Sequence, residues 1–261
     1  MGLGIKRLMK TAVERARGPR GRAVTGFHSE ILNPFLSLLK RLGFAPAHIL
    51  DVGANRGEWT RAALQFFPQA NYTLVEPQEH LKVYIQDLLD GGYKINWISA
   101  GVADRAGSLP FTIAARDDSS TFALSKEQAE ATGAKQVEVE VKTLDQIAAA
   151  SKWGMPDMVK IDAEGLDLKV LAGASDLIGK TEIFLVEAAV CAPLENTVAE
   201  VMLFMNNAGY RLIDITDLNR SPKFGVLWLC EMAFFVEGQF LDEGCNFLRI
   251  SGISSGADFE C

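Results

Sequence analysis

Ile49-Leu50-Asp51-Val52-Gly53-Ala54-Asn55-Arg56-Gly57 is the stretch whose reading decides the fold of this chain. Apolar residues run into an acid, two glycines flank a short polar turn, and helical spacing follows from Glu58. The pattern is a strand delivered through a tight turn into a helix. Glycine is required where φ is positive or where another group must come close to the main chain. The start of the helix should leave unpaired N–H groups pointing outward, a site for a negative or polar ligand. In an open α/β sheet, such a turn borders the crevice that holds a nucleotide-like cofactor.

Working outward, strands and helices alternate. Strand His48–Val52 precedes helix Glu58–Phe67, and strand Tyr72–Val75 precedes helix Gln78–Leu89. Strands Ile95–Ala100 and Leu109–Ala114 follow, then helix Ser125–Ala131, strand Gln136–Val141 and helix Leu144–Ala150. Strand Met158–Ile161 leads into helix Leu166–Leu177, and strand Ile183–Val186 into helix Leu194–Asn207. Tyr210–Ile215 and Leu227–Val236 close the series with no helix between them. Alternation predicts an α/β fold with a mostly parallel sheet. The final connection, lacking a crossover helix, predicts an antiparallel last strand.

The 261 residues suffice for one large domain, and the 48% hydrophobic, 23% charged composition is that of a globular protein. No apolar run approaches the roughly 20 residues of a membrane span. Val226 to Val236 is interrupted by Glu231 and reads as a buried strand. Nothing near the N-terminus resembles the core of a signal peptide. Cys191, Cys230, Cys245 and Cys261 are widely spaced, which supports neither zinc binding nor a disulfide framework and fits a reducing, cytoplasmic setting. The net charge is −7, yet residues 1–24 carry +6, leaving −13 for the rest. An acidic body argues against nucleic-acid binding. Residues 3–17 have a helical apolar face opposed by basic residues, ended by Gly18-Pro19-Arg20-Gly21. Two readings stay open for this segment: weak contact with the anionic inner face of a membrane, or a helix packed on the body or held as a mobile arm. A second helix spans Ser29–Arg41. The resulting division is 1–44 for the two leading helices, 45–237 for the α/β domain and 238–261 for a tail.

The dinucleotide fingerprint G-x-G-x-x-G is not met, because Gly53 and Gly57 give GxxxG. Asp51 would repel a phosphate and attract an ammonium. S-adenosylmethionine carries an ammonium, a sulfonium and a ribose, and no phosphate. The second strand ends at Glu76-Pro77, 23 residues after Gly53, where an acid can accept both ribose hydroxyls. Beyond the third strand, Ala103-Asp104 offers an acceptor for the adenine amino group. Three acids at three consecutive strand ends predict one crevice, with Asp51, Gly53, Ala54, Asn55 and Gly57 at its first wall.

These residues resemble the class I, Rossmann-like S-adenosylmethionine-dependent methyltransferases, and more narrowly the FkbM family. The narrower resemblance rests on Val159-Lys160-Ile161-Asp162-Ala163-Glu164-Gly165 with Leu168 to Gly173, on Asp51-Val52-Gly53-Ala54-Asn55-x-Gly57, on Ser119-Ser120 and on the closing strand Leu227–Val236. It covers roughly residues 45–237, and is close rather than complete at Leu166-Asp167. It implies a seven-stranded sheet with helices on both faces. It further implies O-methylation of a hydroxyl on a sugar, glycan or secondary metabolite, and a flap role for Ser119 and Ser120 beside the cofactor.

Methyl transfer from a sulfonium is an in-line displacement, and a hydroxyl nucleophile benefits from a base. Asp162, at the end of strand Met158–Ile161, and Glu164 just beyond are the best-placed candidates, with Asp162 also facing the cofactor. Lys160 projects from the same side as Asp162 because side chains alternate along a strand. It serves either in catalysis or as a structural ion pair beneath the cofactor. Glu187 at the end of strand Ile183–Val186 could be a base, a hydroxyl acceptor or, with Asp162, a metal ligand; the resemblance requires no metal. His80 reads as a solvated surface residue. Trp153 and Trp228 read as core, with sugar stacking as the alternative. Asp217, Asn219 and Arg220 fall in the loop between the last strands, bordering an acceptor pocket. Competing classes are an NAD-linked oxidoreductase, disfavoured by the missing third glycine, and a non-catalytic cofactor-binding module, disfavoured by the retained acids.

Overall fold

The computed structural model describes residues 29–113, 120–122, 124–191, 194–221 and 223–236. The basic segment 3–17, Ser119 and the tail 238–261 lie outside the described residues.

Seven strands form the main sheet: β1 (His48–Val52), β2 (Asn71–Val75), β3 (Ile95–Ile98), β7 (Met158–Ile161), β8 (Ile183–Ala189), β9 (Tyr210–Arg220) and β10 (Leu227–Val236). Their order is β3-β2-β1-β7-β8-β10-β9, with β10 inserted antiparallel between β8 and β9 and the other pairings parallel. All residues of β1 and β7 are buried, as expected for central parallel strands covered on both faces. Period-two alternation divides their side chains between two cores. Leu50, Val52, Val159 and Ile161 join one, while Ile49 and Met158 join the other.

Helices cover both faces. On one side lie α1 (Ser29–Arg41), α2 (Glu58–Phe66) and a 3₁₀ segment, Glu79–Ile85, running into α3 (Gln86–Asp90). Leu32, Phe35, Leu36 and Leu39 recur at helical spacing along α1 and are fully buried, each contributing about 1.5–3 kcal/mol by area. The other side carries α5 (Leu144–Ala150), α6 (Asp167–Ala172) and α7 (Val198–Asn207). The starts of α5 and α7 are set by reciprocal capping boxes, Thr143 with Gln146 and Thr197 with Glu200; the same device, Ser125 with Gln128, opens α4 (Lys126–Thr132).

The fourth to sixth strands, β4 (Gly101–Val102), β5 (Gly107–Ile113) and β6 (Lys135–Lys142), form a separate sheet in the order β4-β6-β5. The expected strand Ile95–Ala100 is thus broken, since the chain leaves the main sheet after Ile98. The expected helix Gln78–Leu89 begins as 3₁₀, which seats Ile85 against Gly57. Helix Leu166–Leu177 stops at Ala172, because Gly173 packs on the Ala103 carbonyl where a side chain has no room. Helix Leu194–Asn207 starts later, at its Thr197 cap. Strand β9 runs five residues past the expected Ile215. Among the described residues no helix is long and apolar enough to cross a membrane.

Candidate active site

The turn after β1 is closed on itself. Gly53 and Ala54 donate their N–H groups to the Val75 carbonyl, Gly57 donates to Ala54, and Asn55 donates to Glu76 Oε2 at 3.0 Å. Three of these N–H groups tie the turn to β2 and to the residue at its end. Gly53 has φ +74°, and a Cβ there would collide with the Asp162 backbone carbonyl. Its smallness lets the ends of β1 and β7 meet.

Beneath that junction sits Lys160. Its Nζ lies 3.3 Å from the Gly53 carbonyl, 3.2 Å from Asp162 Oδ2 and 3.6 Å from Asp51 Oδ1. Asp51 pairs with Lys160 in register across β1 and β7, is fully buried, and accepts a hydrogen bond from Thr60. Burial pushes the Asp51 carboxyl up, against the pull of Lys160. For Lys160 the neighbouring carboxylates outweigh burial and raise its pKa, so it is a fixed cation.

Glu76, at the end of β2, is buried, and its Oε1 accepts from the Gln78 backbone at 2.9 Å. Its carboxyl is raised by burial and partly restored by these hydrogen bonds. Ser120, also buried, donates to Gln78 Oε1 at 3.4 Å, and Thr121 donates to the Glu164 carbonyl at 2.8 Å. Ser120 and Thr121 therefore lie beside Gln78, next to Glu76, and beside the segment after β7.

Asp162, Glu164 and Glu187 gather at the ends of β7 and β8. Glu164 sits in a left-handed backbone conformation, φ +53°, unusual for a residue with a side chain. Burial and the charges of Asp162 and Asp167 push Glu164 and Glu187 well above the usual carboxylate range. Asp167 braces this corner. Its Oδ1 accepts from Ala163 N at 2.8 Å and its Oδ2 from Asn196 Nδ2 at 2.7 Å, while Asn196 also reaches the Glu187 carbonyl. Glu231 of β10 lies directly opposite Glu187 on one side and Asp217 on the other, and accepts from Thr216 Oγ1 at 2.6 Å.

A family model described as the methyltransferase FkbM domain matches residues 51–212, more than half of the chain and all of the turn, Glu76 and β7–β8 corner. The chain belongs to the FkbM methyltransferase family. It is a methyltransferase whose methyl donor is S-adenosylmethionine. No curated protein sequence matches it. Similar solved structures include a precorrin-6y C5,15-methyltransferase from Geobacter metallireducens GS-15, at 12% identity and TM-score 0.47, covering 83% of this chain and 93% of that one. Magnesium protoporphyrin IX methyltransferase from Synechocystis PCC 6803 with bound SAM aligns at 11% identity and TM-score 0.47, covering 89% and 94%. Cofactor-bound Rv0187 from MTB aligns at 14% and 0.49, covering 90% of each chain.

Several expectations for this methyltransferase need correction. Asp104 lies beyond β3 after the two-residue β4, is exposed and pairs with Arg105 at 3.8 Å, and its neighbour Ala103 is buried in the core against Gly173. Trp153 lies at the far end of the sheet, its ring 5.6 Å from that of His48 at the start of β1, which precludes stacking on a ligand at the β7 end. Asp217, Asn219 and Arg220 belong to β9 rather than to a loop. His80 is exposed on the 3₁₀ segment. Among the described residues no group of three or more His, Cys, Asp or Glu is arranged to hold a metal ion. Glu231, Thr216, Asp167, Asn196 and Gln78 were not singled out as site residues beforehand. The one signal for Glu231 was an acid inside an otherwise apolar strand, since unpaired acids are rarely buried without a purpose.

So many raised carboxyls have a consequence for stability. Asp167 and Glu231 are each pushed up to about 7 by burial, from 3.8 and 4.5. The folded state then binds these protons more tightly than the unfolded chain, so stability is lost as pH rises from about 4 to about 7. The ligand-free protein is expected to melt higher at acidic than at mildly alkaline pH, by on the order of 5 °C. Glu231→Gln should flatten part of that slope. Thermal unfolding monitored by circular dichroism across this range checks it; a midpoint that rises with pH would refute it.

Proposed function

We propose that this enzyme O-methylates a hydroxyl of a small polyhydroxylated acceptor, such as a sugar, glycan end or secondary metabolite. The single observation that carries this reading is the acidic corner at the ends of β7 and β8. There Asp162, Glu164 and Glu187 converge, while Lys160 is sealed beneath them at 5% side-chain exposure. A crevice lined by carboxylates suits a cationic donor and disfavours a pyrophosphate.

The residues present fit S-adenosylmethionine. Glu76 would accept ribose hydroxyls beside Asn55 and Pro77, and the turn Gly53–Gly57 with Asp162 would hold the amino-acid end, with Ser120 bonded to Gln78. When bound, the cofactor supplies an electrophilic methyl group on a sulfonium. Asp51 and Lys160 act as positioning residues, because their pairing holds the β1 turn against the carboxylate of Asp162. Asp162 orients the acceptor hydroxyl with its outward oxygen. Glu187 takes the hydroxyl proton; burial raises its pKa above the ordinary carboxylate range, which makes its ionised form the stronger base. Glu164, fixed through its backbone by Thr121, shapes the buried corner beside Asp162. Glu187→Gln, which preserves shape, should lower kcat by about 10²–10⁴ with cofactor affinity unchanged. Transfer of a labelled methyl group to a panel of polyols, alongside calorimetry, measures both. Full turnover in that variant would remove Glu187 from the mechanism, and no transfer to any hydroxyl by the folded wild type would remove O-methylation.

A further inference from the structure

Strand pairing stops just short of the two acids that the reaction needs held together. The last registered partners of β7 and β8 are Ile161 and Val186, one residue before Asp162 and Glu187. On the β1 side Asp162 is still tied, because its N–H donates to the Val52 carbonyl at 3.1 Å. Towards β8 the chain instead enters a turn with two consecutive left-handed residues, Glu164 at φ +53° and Gly165 at φ +96°. Turns of this kind aim neighbouring N–H groups at an anion. The chain supplies that anion itself: Asp167, 0% exposed, accepts from Ala163 N at 2.8 Å through Oδ1.

The other oxygen of Asp167 reaches towards β8. Asn196, 1% exposed, donates Nδ2 to Asp167 Oδ2 at 2.7 Å and to the Glu187 carbonyl at 3.2 Å. Both groups are acceptors, so only the amide nitrogen can face them. A hydroxyl has one proton to give and a carboxylate none, so neither could serve both. The Asn196 backbone is fixed in turn. Its carbonyl accepts from Ala189 N at 2.8 Å, and Thr197 beside it bridges to Ala189. One amide thus closes the gap that the strand pairing leaves open.

We infer that Asn196 is a positioning residue for Glu187: anchored on Asp167, it sets the spacing between the Glu187 end of β8 and the Asp162 end of β7. It acts through Glu187 and is not itself catalytic. The inference rests on the reading of Glu187 as the base and adds the residue that keeps it in place.

The titratable and charged groups facing Glu187 are Lys160 and Asp162 from β7, Glu164 from the turn, Asp167 from α6 and, opposite in register, Glu231 from β10. Burial and the acids among them hold its carboxyl above the ordinary range, so its titration reports how closely it is kept there.

The test uses the ligand-free full chain carrying ¹³C at the glutamate side-chain carboxyls, with the Glu187 signal assigned through Glu187→Gln. Its titration midpoint is read by NMR in the wild type, in Asn196→Ala and in the milder Asn196→Ser. Both variants should lower the midpoint by about one pH unit, a tenfold change in proton affinity, as the end of β8 moves off and water enters. Thr197→Ala removes the neighbouring α7 cap and lowers the melting temperature, but leaves the Asp167–Asn196–Glu187 link intact. It should not move the midpoint. An unchanged midpoint in either folded Asn196 variant, or an equal fall in Thr197→Ala, would overturn the inference. The reading on which it rests fails separately, as full methyl transfer by Glu187→Gln.

Discussion

Gly53→Ala is expected to cost at least about 3 kcal/mol of folding stability and to abolish cofactor binding with it. Two effects combine. The residue sits at φ +74°, where any side chain is strained by about 1–2 kcal/mol. The added Cβ would also collide with the Asp162 backbone carbonyl, which cannot rotate away as a side chain can. Relief requires the ends of β1 and β7 to separate, and that separation would open the Lys160 contacts with the Gly53 carbonyl and Asp162. Gly57→Ala is the informative comparison. Its φ is +75°, but its Cβ would meet only Cγ2 of Ile85, a side-chain atom able to shift. That variant should lose about half as much or less. Urea denaturation of both checks the ordering; equal losses would mean that backbone conformation alone, and not the β1–β7 contact, governs the turn.

Lys160→Met should be of comparable size, about 3–5 kcal/mol, because it leaves the fully buried Asp51 carboxylate without its cation. The sign with pH follows from Asp51, whose pKa is already raised in the folded state by burial. Without Lys160 it rises further, so folding takes up a proton. Stability of the variant should therefore recover as pH falls towards 5 and worsen towards 8. Adding Asp51→Asn to Lys160→Met should restore much of the loss, since an amide needs no counter-ion. Denaturation of the three variants at both pH values measures this. A Lys160→Met variant as stable as the wild type at pH 8 would show that the pair is not what joins the two strands.

Much of this was legible in the chain because it is local. Strands such as His48–Val52, Met158–Ile161 and Leu227–Val236 are delimited by apolar runs and turn residues, and period-two alternation placed Lys160 and Asp162 on one side. The glycine turn and Glu76 are 19 residues apart, and the acids after β7 follow directly on its apolar run. What was not legible depends on non-local register. Glu231 faces Glu187 only because β10 inserts between β8 and β9, which no local pattern reports. The end of β3 was not legible because the apolar stretch Ile95–Ala100 reads as one strand, whereas the chain exits the sheet after Ile98 to pair with β6. Asp167 and Asn196 are joined across 29 residues by one hydrogen bond, and their residue types alone suggest only caps and turns.

The central claim is that the β1 turn, Glu76 and the end of β7 form one cradle for S-adenosylmethionine. Calorimetric titration of the folded protein and of Glu76→Gln with S-adenosylhomocysteine tests it most directly. The expected result is one saturable site in the wild type, weakened at least about tenfold in Glu76→Gln, where an amide replaces a carboxylate that accepts hydroxyl donors. No heat of binding in the wild type, or equal affinity in both proteins, would contradict it.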